Sequence, residues 1–301
     1  MNVFFKDIPC GVMSVLEPRT LHLANKALKF LRSTSNYDMR RISSCAFTQA
    51  SHPGSDTRAD KKGSAESLPG ITVVVLGGRG FVGSQICKAA LESGMKVVSI
   101  SRSGTAPLTQ EPWARDVEWA RGNVLEPQTY LGHLQGASAV ISCVGGFGNQ
   151  AEMLKVNGTA NVVAVETAKA VGVPRYVFVS ATIPKIPGLG MILGGYINGK
   201  TMAEEAVRKH FPDSGVCLRP GVVYGDRIIS NSLTLPLGYV FQPVERLLLR
   251  VPQTWVNLPL IGGLFVPPIS AAALARAAVA AASDASVSPG IMDVPMLQKY
   301  K

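Results

Sequence analysis

A chain of 301 residues, 47% hydrophobic and 17% charged, can bury a full core and is too apolar for a disordered protein. Its formal charge of +10 is spread along the sequence. No Lys/Arg run is interleaved with aromatics, which argues against nucleic acid as a partner and leaves a basic surface suited to an anionic cofactor or anionic lipid. Cys10, Cys45, Cys87, Cys143 and Cys217 have neither paired spacing nor a zinc-type histidine pattern, and His22, His52, His133 and His210 do not cluster, so buried thiols are expected and no metal site.

In chain order, residues 1–69 read as a leader and linker. Acidic residues are sparse to position 50, Arg40-Arg41 precedes Ser43-Ser44, and Leu21, Leu23, Ala27, Leu28 and Leu31 line one face of a basic helix. This is the composition of an organelle transit peptide, mitochondrial on the amphipathic pattern, with a chloroplast leader or an ordinary flexible tail as alternatives. From Ile71 the pattern alternates strand and helix. Ile71 to Leu76 is a β-branched run suited to a strand buried on both faces, Phe81 to Ser93 reads as a helix, and Lys96 to Ser101 as the next strand. Val117 to Ala120, Ala139 to Val144 and Tyr176 to Ser180 continue the strands, with a helix over Met153 to Ala170. The rhythm predicts an α/β fold, a doubly wound parallel Rossmann sheet at 70–283 with a small C-terminal substrate lobe at about 226–270, followed by a tail at 284–301. Ile183 to Gly195 reads as a Pro/Gly-rich loop, Ile228 to Ile269 lacks strand spacing, and Ala271 to Ala282 reads as a closing helix. No apolar run reaches the roughly 20 residues that span a bilayer.

The strongest motif is Gly77-Gly-Arg-Gly80-Phe81-Val82-Gly83, directly after a buried strand and opening a helix. Gly77 permits the tight turn, Gly80 lets the backbone approach a pyrophosphate, and Gly83 lets helix and strand pack closely, with the helix N-terminus facing the phosphates. At the end of the second strand, where an NAD site usually carries a carboxylate, the sequence is Ser99-Ile-Ser101-Arg102-Ser103. Arg102, with Arg79 nearby, suits a ribose 2′-phosphate and favours NADP over NAD; the alternative is a solvated loop arginine.

These residues, with Arg121-Gly-Asn123, Cys143-Val-Gly145-Gly146, Asn157-Gly-Thr159, Phe178-Val-Ser180, Tyr196-Ile-Asn-Gly-Lys200 and Leu218-Arg-Pro-Gly-Val-Val-Tyr-Gly225, resemble atypical, extended short-chain dehydrogenases from about Ile71 to Gly225. The chain is similar to two mitochondrial groups within that family: the accessory protein of the coenzyme Q biosynthetic complex and the dehydrogenase-like accessory subunit of respiratory complex I. Two functions follow from the resemblance. One is an NAD(P)H-binding accessory or assembly factor of a mitochondrial membrane complex. The other is an active NADP-dependent oxidoreductase or epimerase/dehydratase. The resemblance implies Tyr196 as proton donor, Lys200 as its partner that lowers the phenol pKa and holds the ribose, and Asn157 in support. Asn123, Cys143 and Gly145 would border the cofactor. Ser180 or Thr182 would orient the substrate, since Ala181 stands where many relatives carry the hydroxyl. Val244 to Val251 forms an amphipathic turn with Arg246 and Arg250, and the apolar run from Trp255 to Val266 follows. This segment is expected to cover the sheet, to admit a hydrophobic quinone-like ligand, or to rest peripherally on a membrane.

Overall fold

The computed structural model describes residues 70–107, 111–183, 188–230, 233–236, 238–250 and 265–301, with backbone alone at 226–240. The expected leader and the run 251–264 lie outside the described residues. In chain order the elements are β1 (Thr72–Leu76), α1 (Phe81–Glu92), β2 (Lys96–Ser101), β3 (Glu118–Arg121), α2 (Leu131–Leu134), β4 (Ala139–Ser142) and α3 (Gln150–Leu154). A π-helical turn, Lys155–Thr159, leads into α4 (Ala160–Ala170), β5 (Arg175–Val179), α5 (Leu189–His210), β6 (Gly215–Leu218) and β7 (Val223–Tyr224). β8 (Asp226–Ser230), β9 (Leu233–Pro236), α6 (Gly238–Leu248), β10 (Ile269–Ser270), α7 (Ala271–Ser283), β11 (Gly290–Met292) and α8 (Val294–Leu297) complete the set.

Seven strands form one sheet in the order β11-β6-β5-β4-β1-β2-β3, every neighbouring pair parallel. The β-branched run of β1 explains its central place, because Val73 to Leu76 have no exposed surface and need a cover on both faces. Alternation divides them. Val73 and Val75 pack with Ile86 and Ala90 of α1 and with Leu274, Ala277, Ala278 and Ala281 of α7. Val74 and Leu76 pack with Ala164 and Val165 of α4, and with Ala203 and Val207 of α5. The run of alanines in α7 removes bulk where it crosses α1. From β1 the chain winds one way through β2 and β3, and from β4 the other way, so a crevice opens above the carboxyl ends of β1 and β4.

Four segments differ from the sequence expectation. α5 begins at Leu189 and so takes in most of the expected loop; Gly188, at φ +80, supplies the left-handed turn that starts it. β8 and β9 pair antiparallel with a bulge near Ile228–Ser230, since pairing partners override a weak local pattern. Gly290 to Met292, within the expected tail, pairs with β6 as the sheet's edge, and Leu297 is fully buried behind it. α6 is three turns long, and it buries its carboxylate. Glu245 accepts from the Tyr224 hydroxyl at 2.7 Å and Gln298 Nε2 at 3.1 Å, with Lys301 Nζ at 2.9 Å, while Val244, Leu247 and Leu249 are exposed beside Arg246 and Arg250. No helix among the described residues is long and apolar enough to cross a membrane.

Candidate functional site

The loop after β1 is built almost wholly of backbone. Gly77 lies at φ +82, a conformation that side chains disfavour, and its N–H donates to the Ile100 carbonyl of β2 at 2.8 Å. A Cβ on Gly83 would sit 2.3 Å from the Gly77 oxygen and 2.7 Å from the Gly78 Cα, so no side chain is admitted there. Gly80 is the N-cap of α1, with no side-chain cap and no acidic residue in the first turn. A helix start left without a protein acceptor, behind a turn stripped of Cβ atoms, fits a dinucleotide pyrophosphate. Val82 packs into the core, and the Phe81 ring lies against Gly225 on the far side of the crevice. Gly78, which sequence reasoning passed over, is equally constrained: its Cβ would meet the Ser99 hydroxyl at 2.3 Å and the Cys87 sulfur at 2.8 Å.

On the ribose side, Arg102 is exposed in the bend after β2, and Arg79 donates weakly to the Ala106 carbonyl at 3.4 Å. Asn123 is occupied within its own loop. It donates to Glu126 at 2.7 Å, accepts from the Leu125 N–H at 3.2 Å, and its own N–H reaches the Thr129 hydroxyl at 2.9 Å. It braces the turn after β3.

The loop after β4 meets the glycine loop directly: the Cys143 N–H donates to the Leu76 carbonyl at 2.9 Å, and a Cβ on Gly77 would touch the Cys143 carbonyl at 3.4 Å. Burial pushes the Cys143 thiol up to about 12, with Lys200 opposing. Asn157, fully buried in the π turn, holds Gly146 of this loop at both its N–H and its carbonyl. Its Nδ2 donates to the Gly146 and Met153 carbonyls at 2.8 and 2.9 Å, and its Oδ1 accepts from the Gly146 N–H at 3.2 Å. Asn161, one turn on, accepts from the Ser142 hydroxyl at 2.7 Å and donates to the Val144 and Asn157 carbonyls. The π turn sets both carboxamides toward one loop, a use to which such turns are often put.

α5 crosses this turn through glycines. A Cβ on Gly158 would lie 2.9 Å from the Gly199 Cα, and one on Gly199 would lie 2.8 Å from the Gly158 nitrogen. That approach brings Lys200 beside Gly145, whose Cβ would meet Asn157 Oδ1 at 2.9 Å and Lys200 Nζ at 3.3 Å. Lys200 is 5% exposed; its ammonium donates to the Val179 carbonyl at 2.8 Å and stands 4.6 Å from the Phe178 ring centroid and 5.8 Å from that of Tyr196. Burial lowers its pKa to about 8, against the upward pull of Cys143, Glu204 and Cys217. Tyr196 stacks on Phe147, with centroids 5.0 Å apart and planes at 12°. Its phenol lies above the ordinary tyrosine range because it is buried. The Lys200 ammonium, 5.8 Å from the Tyr196 ring centroid, commits one of its three donors to the Val179 carbonyl.

Ser180 does not open toward Tyr196 as a free hydroxyl. It donates to Glu204 at 2.5 Å, and Glu204 in turn is gripped by both Nε (2.9 Å) and Nη2 of Arg219. The Thr182 hydroxyl donates to the Arg219 carbonyl at 2.7 Å. Ala181 lies between them. The structure therefore gathers Gly77, Gly80, Gly83, Gly145, Asn157, Tyr196 and Lys200 along one crevice, and assigns the two candidate hydroxyls to a brace between β5, β6 and α5.

A family model described as NAD(P)H-binding matches residues 77–233. An uncharacterized chloroplastic protein of Arabidopsis thaliana is 41% identical over 218 residues, which are 70% of this chain and 71% of that one. MIOREX complex component 2 of Saccharomyces cerevisiae is 39% identical over 77 residues, 24% of this chain and 28% of that protein. Among solved structures, the Bordetella bronchiseptica enzyme WbmH in complex with NAD+ superposes with a TM-score of 0.51 at 20% identity, covering 74% of each chain. That likeness supports the fold.

Proposed function

The chain belongs to the NAD(P)H-binding Rossmann family, and from that premise we propose that it is an NAD(P)H-binding protein of the extended short-chain dehydrogenase type that acts as an accessory or assembly factor of a mitochondrial membrane complex. The observation that carries this reading is the engagement of Ser180 and Thr182 by the Glu204–Arg219 brace, beside a cofactor crevice that keeps its glycines and Lys200. A protein under selection for binding alone needs the crevice and can spend the hydroxyls elsewhere. The yeast relative, named as a component of a complex, supports the accessory part; the leader composition supports a mitochondrial address, and the Arabidopsis relative, named as chloroplastic, supports the plastid alternative. In the mitochondrial case, coenzyme Q biosynthesis and complex I are the settings the sequence resemblance favours.

Arg102 is proposed to hold a ribose 2′-phosphate, with Asn123, Cys143 and Gly145 along the adenosine and nicotinamide path and Lys200 at the second ribose. Bound there, the cofactor would supply a hydride; the chain's own residues orient it and keep a phenol at hand. A second reading, an active oxidoreductase or epimerase/dehydratase using Tyr196, is favoured by one observation, the Tyr196–Lys200–Asn157 grouping beside Gly145. Its substrate would be apolar and flat, quinone-like, because Phe147, Met191 and Ile192 are exposed near Tyr196. The exposed Val244, Leu247 and Leu249, together with Arg246 and Arg250, support peripheral contact with an anionic membrane.

Complementation of a strain lacking the protein separates the two readings. The accessory reading expects Tyr196→Phe to restore function and Gly80→Asp to fail. Failure of both variants would establish the enzyme reading in its place.

A further inference from the structure

α5 is interrupted at Leu193, whose φ of −115° and ψ of 18° leave the helical region. The side chain of Gln150, from the start of α3, occupies the break. Its Nε2 donates to the carbonyls of Met191 at 2.8 Å and Ile192 at 3.0 Å, and its Oε1 accepts from the Gly195 N–H at 2.5 Å. In an uninterrupted helix the Gly195 N–H would bond to the Met191 carbonyl, and the Tyr196 N–H to that of Ile192. The carboxamide is thus inserted into the hydrogen-bond rung just before Tyr196, which is a recognised cause of a kink. A Cβ on Gly195 would fall 2.0 Å from the Gln150 carbonyl oxygen, so the approach needs glycine there. The start of α3 is itself fixed, by a capping box between Asn149 and Glu152.

We propose that Gln150 is a positioning residue for Tyr196, setting the helical turn that carries the phenol and, with Phe147, tying it to the loop that borders the cofactor. Of the side chains long enough to reach the break, glutamine offers both an acceptor and two donors, and all three contacts use them. Phe147 lies three residues earlier and covers the Tyr196 ring. The loop between Gly146 and Gln150 therefore grips Tyr196 from two sides while Asn157 holds its beginning. The inference deepens the proposed role of Tyr196 but concerns its position, which is measurable whether or not turnover occurs.

The test uses the full chain labelled with [13Cζ]tyrosine, the Tyr196 signal being assigned by its loss in Tyr196→Phe. Phe147→Leu gives the shift of an unstacked ring. In Gln150→Met, nearly the same size but without the three bonds, the signal is expected to move toward the Phe147→Leu value. Its titration should fall toward that of an ordinary tyrosine as water reaches the phenol. Gln150→Glu, which loses the donors and sets a carboxylate against the Met191 and Ile192 carbonyls, should displace the ring as well and serves if the methionine variant does not fold. A purely structural role would lower the unfolding temperature without moving this signal. A wild-type signal and titration in either folded variant overturns the proposal. A displaced ring in Gln150→Met, with Tyr196→Phe fully functional in complementation, would instead retain the positioning and remove the phenol from the chemistry.

Discussion

Around Gly77, Gly80 and Gly83 the crevice is shaped by atoms that are missing, whereas around Tyr196 and Lys200 it is shaped by side chains that hold other side chains. The first region needs glycine at 77, 78 and 83 and one uncapped helix end at Gly80. The second depends on Asn157 for Gly146, Asn161 for Val144, Gln150 for the kink, Phe147 for the phenol ring, and Glu204 with Arg219 for Ser180. Backbone sites tolerate drift in the surrounding sequence but not an added methyl. Side-chain networks tolerate addition better than the loss of one partner, since losing Asn157 or Asn161 leaves buried polar groups unpaired.

The comparison breaks first at Gly83. Gly83→Val would drive branched carbons into the Gly77 carbonyl, 2.3 Å from the ideal Cβ position. NADPH binding is expected to be lost, and stability to fall by about 3 kcal/mol or more as the helix is pushed off the strand. Calorimetry and urea unfolding read both effects, and a variant that binds normally would mean that the helix does not pack on this turn.

In the side-chain region the largest effect lies in the pH dependence of Lys200. Its folded pKa, about 8, is below the ordinary 10.5, so between those values the unfolded chain binds more protons. The contribution of Lys200 to stability is unfavourable below pH 8 and improves as pH rises through that window, by up to about 3 kcal/mol. Cys143 and Cys217, both pushed up to about 12, act in the opposite sense above pH 9, so the measurement is the difference between wild type and Lys200→Met. That difference should grow in favour of wild type from pH 8 to 10; a flat difference would mean that the ammonium is solvated.

The smallest expected effect is at Ser180. Ser180→Ala removes one hydrogen bond from Glu204, which keeps Arg219, and should cost about 1 kcal/mol with NADPH affinity unchanged. A large change in affinity would place the hydroxyl in the crevice after all.

The same contrast explains what could be read in advance. The glycine loop and the buried β1 are local patterns and legible as such, whereas Tyr196, Lys200, Asn157 and Gly145 are singled out only through resemblance. Gln150 is not, because a glutamine at the start of a short helix carries no local mark of the kink it fills, 41 to 45 residues further along the chain. Gly158 and Gly199 each stood inside a quoted motif, yet their contact exists only where two helices cross. β11 reads as tail in the sequence because three residues, Gly290 to Met292, give too little alternation to distinguish a strand, and the partner that makes them one is β6. The loss of the Ser180 hydroxyl to Glu204 likewise depends on side-chain geometry across three elements.

The central claim is that the crevice holds NADP(H) through the glycine loop and Arg102. Calorimetric titration of the full chain with NADPH and with NADH, repeated on Gly80→Asp and Arg102→Glu, tests it most directly. The account predicts tighter binding of NADPH, no binding to Gly80→Asp, and at least about a tenfold loss for NADPH alone in Arg102→Glu, the scale of one charge-assisted contact. Wild-type protein that binds neither cofactor, or an Arg102→Glu variant that loses both equally, would contradict it.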